Sequence, residues 1–82
     1  MSNSYIYYLN DTIRQLIDLA KEVKETDDYN QGILYGYYAS ISRLLNQAEA
    51  FDIIENLDKD IQNFKPEKLF SKNEDENKTE EN

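Results

Sequence analysis

Residues 6–23, IYYLNDTIRQLIDLAKEV, decide the fold of this chain of 82 amino acids. Apolar residues recur along this stretch at intervals of three and four, which is the period of one face of an α-helix. They are Ile6, Leu9, Ile13, Leu16, Ala20 and Val23, and the nearby Tyr5, Tyr8, Ile17 and Leu19 widen the same stripe at about 100° per residue. The pattern predicts an amphipathic helix over about residues 4–25, with one buried face.

A second apolar stripe follows and predicts a helix over about residues 29–51. Its members are Leu34, Tyr37, Tyr38, Ile41, Leu44, Leu45, Ala48 and Phe51. The polar residues 26–28 separate the two helices, and Asp28 followed by Gln31 is similar to a capping box. Because a short loop makes consecutive helices antiparallel neighbours, the sequence predicts an antiparallel helical hairpin.

The phase of the apolar pattern changes after residue 51 and predicts a short third helix over about residues 53–63. Asp52 and Glu55 are placed to cap that helix, and Leu69 and Phe70 are expected to dock on the body of the domain. Residues 71–82 contain no apolar side chain, so burial cannot offset the entropy of ordering them, and we expect a disordered acidic tail. The predicted fold is all-α, with residues 1–70 as one helical domain.

The composition excludes several chemistries. The chain contains neither Cys nor His, which removes disulfides, thiolate or imidazole metal ligands and the usual general base. A domain this short buries a small fraction of its surface, so tight helix packing or self-association must stabilise it. Dimerisation of two hairpins into a four-helix-type bundle is one way to do so.

The net charge of −8 argues against direct nucleic-acid binding and against an anionic membrane surface. No apolar run approaches the roughly 20 residues that span a bilayer. The first residues, MSNSYIYYLND, have neither a basic start nor a long apolar stretch, so we expect no secretion signal and a cytoplasmic location.

The two glycines of the chain, Gly32 and Gly36, lie one turn apart in the second predicted helix. A helical wheel places them on the side away from the apolar stripe, and that side is poor in charge. Residues 29–51 contain two charged side chains, whereas residues 11–25 contain seven. Since small residues allow close helix approach, the pattern predicts that protein covers this side. The predicted partner-binding residues, called the glycine face below, are Gly32, Tyr35, Gly36, Ala39, Ser40 and Arg43.

Three occupants are consistent with the glycine face: the chain's own third segment, a second copy of the chain, or a different protein. A second copy is slightly favoured, because a homodimer would enlarge a small core. The alternative interpretation is that Gly32, near the helix start, is only a surface residue of weak helix propensity.

Seven tyrosines form two groups, at residues 5–8 and 29–38. We expect core or core-edge packing for Tyr5, Tyr8, Tyr37 and Tyr38, whereas Tyr7 and Tyr35 point off the apolar stripes. Stacking of single-stranded bases on these rings is disfavoured, since it needs a basic groove.

The sequence offers no nucleophile–base pair for catalysis and no cofactor motif. The acid pairs Asp27–Asp28 and Asp58–Asp60 do not match a calcium loop, so no metal site is predicted.

The leading functional hypothesis is a small acidic, non-catalytic helical protein that binds protein as an adaptor, inhibitor or immunity-type factor. One alternative is an acidic nucleic-acid mimic that blocks a DNA- or RNA-binding protein. Another is a purely structural homo-oligomer subunit.

Overall fold

The computed structural model describes residues 3–24 and 26–70, and the regular structure of this part is entirely helical. Helix α1 spans Asn3–Lys21, α2 spans Asp28–Ala50 and α3 spans Lys59–Gln62. Two 3-10 turns, Ile54–Asn56 and Pro66–Phe70, flank α3. The predicted all-α class is confirmed, while the predicted tail over residues 71–82 lies outside the described residues.

The apolar stripe of α1 faces the core, as predicted. Ile13, Ile17 and Ala20 are buried, and Ile6, Leu9, Leu16 and Val23 are half-buried against them. The prediction that Tyr5, Tyr8 and Leu19 widen this buried stripe is wrong, because all three are exposed. A wide stripe is buried only when neighbours lie on both flanks of a helix, and within residues 3–24 and 26–70 the third part of the chain packs on one flank of α1.

Helix α2 begins with Asp27 as its N-cap, one residue before the predicted capping residue Asp28. The Asp27 carboxylate accepts a hydrogen bond of 2.8 Å from the backbone N–H of Asn30, which satisfies one of the free donors of the first turn. Leu34, Ile41 and Ala48 are buried in a core shared with α1 and residues 54–70. Tyr37 and Tyr38 are half-buried against the same core.

The chain reverses sharply where α2 ends. The N–H of Ile53 donates to the carbonyl of Ala48 at 2.9 Å, and that of Asp52 donates to Glu49 at 3.0 Å, a Schellman pattern. Asp52 adopts a left-handed φ of 62° at the position where glycine is usual. Asp52 therefore ends α2 and does not cap a third helix. Phe51, predicted to lie in the buried stripe, is exposed at this corner.

The structure divides the predicted third helix into two pieces. Leu57 and Asp58 have extended backbones, with ψ values of 163° and 148°, so the 3-10 turn before them is not continuous with α3. This segment still completes the core, because Leu57, Ile61 and Leu69 are each 3% exposed or less. Residues 54–70, called the third segment below, thus pack on both long helices.

Candidate functional site

The six residues of the glycine face are all exposed. The two glycines, Ala39 and Arg43 lie on the side of α2 opposite its buried residues, in the direction that the helical wheel predicts, and Tyr35 and Ser40 lie at the edges of that side. The chain therefore presents this side of α2 outward.

Space is open above both glycines. A Cβ built on Gly32 or Gly36 would meet no atom within 4 Å among the described residues. Neither glycine has a positive φ, so neither is required by its backbone conformation. The interpretation that the chain's own third segment covers the two glycines does not hold for residues 54–70.

Charge is sparse along α2, where Asp28, Arg43 and Glu49 are the charged side chains. Arg43 lies beside a shallow depression of about 390 Å³ that continues the glycine face toward the helix end. The depression is lined by Ala39, Arg43, Asn46 and Gln47. A partner surface on this side would meet small and amide side chains around one positive charge.

Tyr35 does not lie among the glycines but belongs to an aromatic cluster on one edge of the face. Its ring is 5.8 Å from that of Tyr38 and 6.5 Å from that of Phe70. Tyr38 and Phe70 meet edge to face at 5.3 Å, a favourable aromatic geometry. Because Tyr35 is still 61% exposed, the cluster extends from the core to the surface. Sequence reasoning placed Phe70 near the body but did not connect it with Tyr35.

A recess of about 480 Å³ lies between α2 and the third segment. Its walls are Tyr38, Ser42, Leu45, Asn46 and Glu49 of α2, and Ile54, Gln62, Phe64, Lys65, Pro66 and Glu67 of the third segment. Tyr38 and Ser42 contribute hydroxyl groups to this lining, and Glu49, Lys65 and Glu67 contribute charged groups.

A polar cluster that sequence reasoning missed joins α1 to α3. The Arg14 guanidinium donates two hydrogen bonds to Asp60, at 2.8 and 3.0 Å, and one to Asp58 at 2.7 Å. The Asn10 amide donates to the Asp58 carboxylate at 3.1 Å and accepts from the Asp58 N–H at 2.8 Å. Both side chains lie outside the apolar stripe of α1, and the spacing of Asp58 and Asp60 was the signal that an arginine partner should be sought.

The ion pairs shift the ionisation of their members. Hydrogen bonds to Asp60 and then Asp58 raise the pKa of the Arg14 guanidinium above its ordinary value. The same hydrogen bond from Arg14 lowers the pKa of the Asp60 carboxyl. Both effects favour the charged pair, and since the cluster is solvent-exposed, its main role is to fix α3 in position.

Within residues 3–24 and 26–70, no group of three or more acidic side chains is placed to hold a metal ion. No helix in this part of the chain is both long and apolar enough to cross a bilayer. The cytoplasmic location expected from the sequence stays a prediction.

Comparison with known proteins finds no family model, no curated protein and no solved structure that matches this chain.

Proposed function

We propose that this chain is a non-catalytic helical protein that acts by binding another protein through the glycine face, as an adaptor, inhibitor or immunity-type factor. One observation carries the proposal: the outward side of α2 is exposed yet almost free of charge. A helix side that faces only water is normally rich in Glu and Lys. Here it carries small and amide residues, with exposed Tyr29 and Tyr35 at its two edges.

We further infer that α1 and α2 form the antiparallel hairpin expected from the short connection between them. Support comes from a recess of about 280 Å³ lined by Asn3, Ile6 and Tyr7 of α1 together with Asn56. Asn56 follows the end of α2 closely in sequence, so the start of α1 is near the end of α2. This arrangement keeps the glycine face on the outside of the pair.

The acidic-mimic alternative has less support. A nucleic-acid mimic must present its carboxylates in a phosphate-like row to a basic protein. Asp58 and Asp60 are instead engaged by Arg14, and the glycine face carries a positive side chain, Arg43.

The test of the proposal compares two substitutions at one position. Gly36→Leu places a bulky side chain into the open space above α2, whereas Gly36→Ala fills little of it and keeps the surface flat. Both immobilised variants and the wild-type chain are exposed to native lysate, and helicity is checked by circular dichroism. We expect the same protein to be retained by wild type and Gly36→Ala and lost with Gly36→Leu. Equal retention by all three would contradict the proposal.

Salt dependence separates this proposal from the mimic. A partner held on the small-residue and aromatic surface should be retained when ionic strength rises from 0.1 to 1 M, over which the Debye length falls from about 10 to 3 Å. A partner held by dispersed carboxylates should be released over the same range.

A second copy of the chain is the other occupant that the sequence allows for the glycine face. A larger apolar surface is exposed for such a copy elsewhere on α1 and α2.

A further inference from the structure

The third segment covers one flank of the α1–α2 pair. On α1 it engages Asn10 and Arg14, which lie roughly 60° and 100° to one side of the buried Ile13 on a helical wheel. On α2 it meets Tyr38 and Tyr35 through Phe70, also to one side of the buried Ile41. Because one segment contacts both helices, these two flanks lie on the same side of the pair. The remaining flanks of α1 and α2 therefore share the other side.

Large apolar side chains are exposed along that other side. The set, called the open face, consists of Tyr5, Tyr8 and Leu19 of α1 together with Ile33 and Phe51 of α2 and its end. Tyr5, Tyr8 and Phe51 are 69%, 73% and 70% exposed. Between the two rows lie side chains that are half-buried against the core: Leu9, Leu16, Tyr37 and Leu44. The open face thus has a continuous apolar floor.

The open face carries no charge on either long helix. On the wheel, Asp11, Arg14, Asp18 and Lys21 of α1 all lie on the opposite half from Tyr5, Tyr8 and Leu19. The charged residues of α2 likewise fall outside the sector of Ile33 and Leu44. A helix flank that faces only water normally carries some charged side chains. Because both helices lack charge on this flank, we infer that it is a contact surface.

The apolar area is too large to be a minor surface feature. An aromatic side chain has about 150–250 Å² to bury, so the three exposed rings present on the order of 400 Å². With Leu19, Ile33 and the half-buried floor, the area approaches the roughly 800 Å² per partner of a specific interface.

We propose that a second copy of this chain docks on the open face, so that two α1–α2 pairs form a four-helix layer with the third segments on the outside. Residues 71–82 offer no apolar side chain and so cannot substitute for it. Each chain has a net charge of −8, so two copies repel each other on average, and a contact between them is favoured where charge is absent. The open face meets that condition, and in a two-fold dimer the same surface serves both partners.

The test uses two adjacent tyrosines of α1. Tyr7 and Tyr8 are exposed to nearly the same extent, at 69% and 73%, but Tyr7 lies on the charged side of the helix and Tyr8 on the open face. The full chain and the variants Tyr8→Glu, Leu19→Glu and Tyr7→Glu are compared by sedimentation equilibrium over a wide concentration range, with circular dichroism as the check on folding.

We expect the wild-type chain and Tyr7→Glu to dimerise alike. Tyr8→Glu and Leu19→Glu should raise the dissociation constant by about 100-fold or more, because each buries an unpaired charge twice in the dimer. A wild-type chain that stays monomeric at the highest concentration overturns the proposal, whether or not another protein or a lipid vesicle binds the open face. Equal effects of Tyr7→Glu and Tyr8→Glu would overturn it as well.

The inference does not depend on the glycine face. Gly36→Leu should leave the dimer intact while releasing the foreign partner, so failure of one proposal is distinguishable from failure of the other.

Discussion

The flank covered by the third segment and the open face are two sides of the same helix pair, yet different chemistry stabilises them. The covered flank combines buried leucine and isoleucine with the Arg14–Asp58–Asp60 ion pairs and an aromatic cluster. The open face presents aromatic and aliphatic side chains of similar size without any charged group. Polar contacts fix the position of a short segment of the same chain, whereas an uncharged surface is typical of a binding site for a separate molecule. The difference supports the proposal that a second chain completes the open face.

The largest expected effect is the difference in stability between two Leu→Ala substitutions, one on the covered flank and one on the open face. Leu69→Ala on the covered side removes a side chain that is 2% exposed and should lower the free energy of unfolding by about 2–5 kcal/mol. Leu19→Ala on the open face removes one that is 46% exposed and should cost less than about 1 kcal/mol at low protein concentration. Urea unfolding at two protein concentrations measures both. Equal losses at low concentration would mean that the open face is already covered within one chain.

The glycine face offers a gain in stability. Gly32→Ala and Gly36→Ala should each raise the free energy of unfolding by about 0.5–1 kcal/mol, because alanine is the better helix former and no atom lies within 4 Å of the new Cβ. Urea titration of each variant and of the double variant provides the measurement. A loss of stability in either variant would show that something in the folded chain already contacts this side of α2.

At Asp52, where α2 ends, alanine should lower the free energy of unfolding, whereas alanine at Gly32 and Gly36 should raise it. Asp52→Gly should raise the free energy of unfolding by up to about 1 kcal/mol, since glycine adopts a left-handed φ without steric cost. Asp52→Ala, the control, should lower it by about 1 kcal/mol for the same reason. Thermal unfolding of the two variants beside wild type gives the signs, and identical shifts would contradict the left-handed corner that directs the chain toward the covered flank.

The smallest expected effect concerns the ion pairs of the covered flank. The pKa of Asp60 is lowered in the folded chain, so its stabilising effect is complete above the ordinary Asp pKa of about 4 and is lost as pH falls through the lower folded value. Asp60→Asn should therefore reduce the thermal midpoint by less than about 5 °C at pH 7, and this reduction should shrink as pH falls below about 4.

Asp18→Asn, on α1 outside the cluster, is the matched control for loss of a carboxylate. A difference between wild type and Asp60→Asn that grew on acidification would have the wrong sign for this ion pair.

Local pattern was sufficient for α1 and α2, because a period of three and four residues encodes one buried face whatever the helix packs against. It was also sufficient for the outward direction of Gly32 and Gly36. It failed for Tyr5, Tyr8 and Phe51, since periodicity tells which residues could be buried but not on which flank a neighbour arrives. The prediction for the third segment failed for a different reason. Asp58 forms hydrogen bonds with Asn10 and Arg14, which are 48 and 44 residues away, and α3 is only one turn long.

The amino-acid sequence by itself determined the helical class, the two long helices, the charge-poor outer side of α2 and the lack of Cys and His chemistry. Only the tertiary structure decided that the third segment covers one flank and that, among the described residues, the other flank is open. The physical reason is that helix periodicity is written in neighbouring residues, whereas the choice of flank depends on contacts such as Arg14–Asp60 and Tyr38–Phe70 between distant parts of the chain.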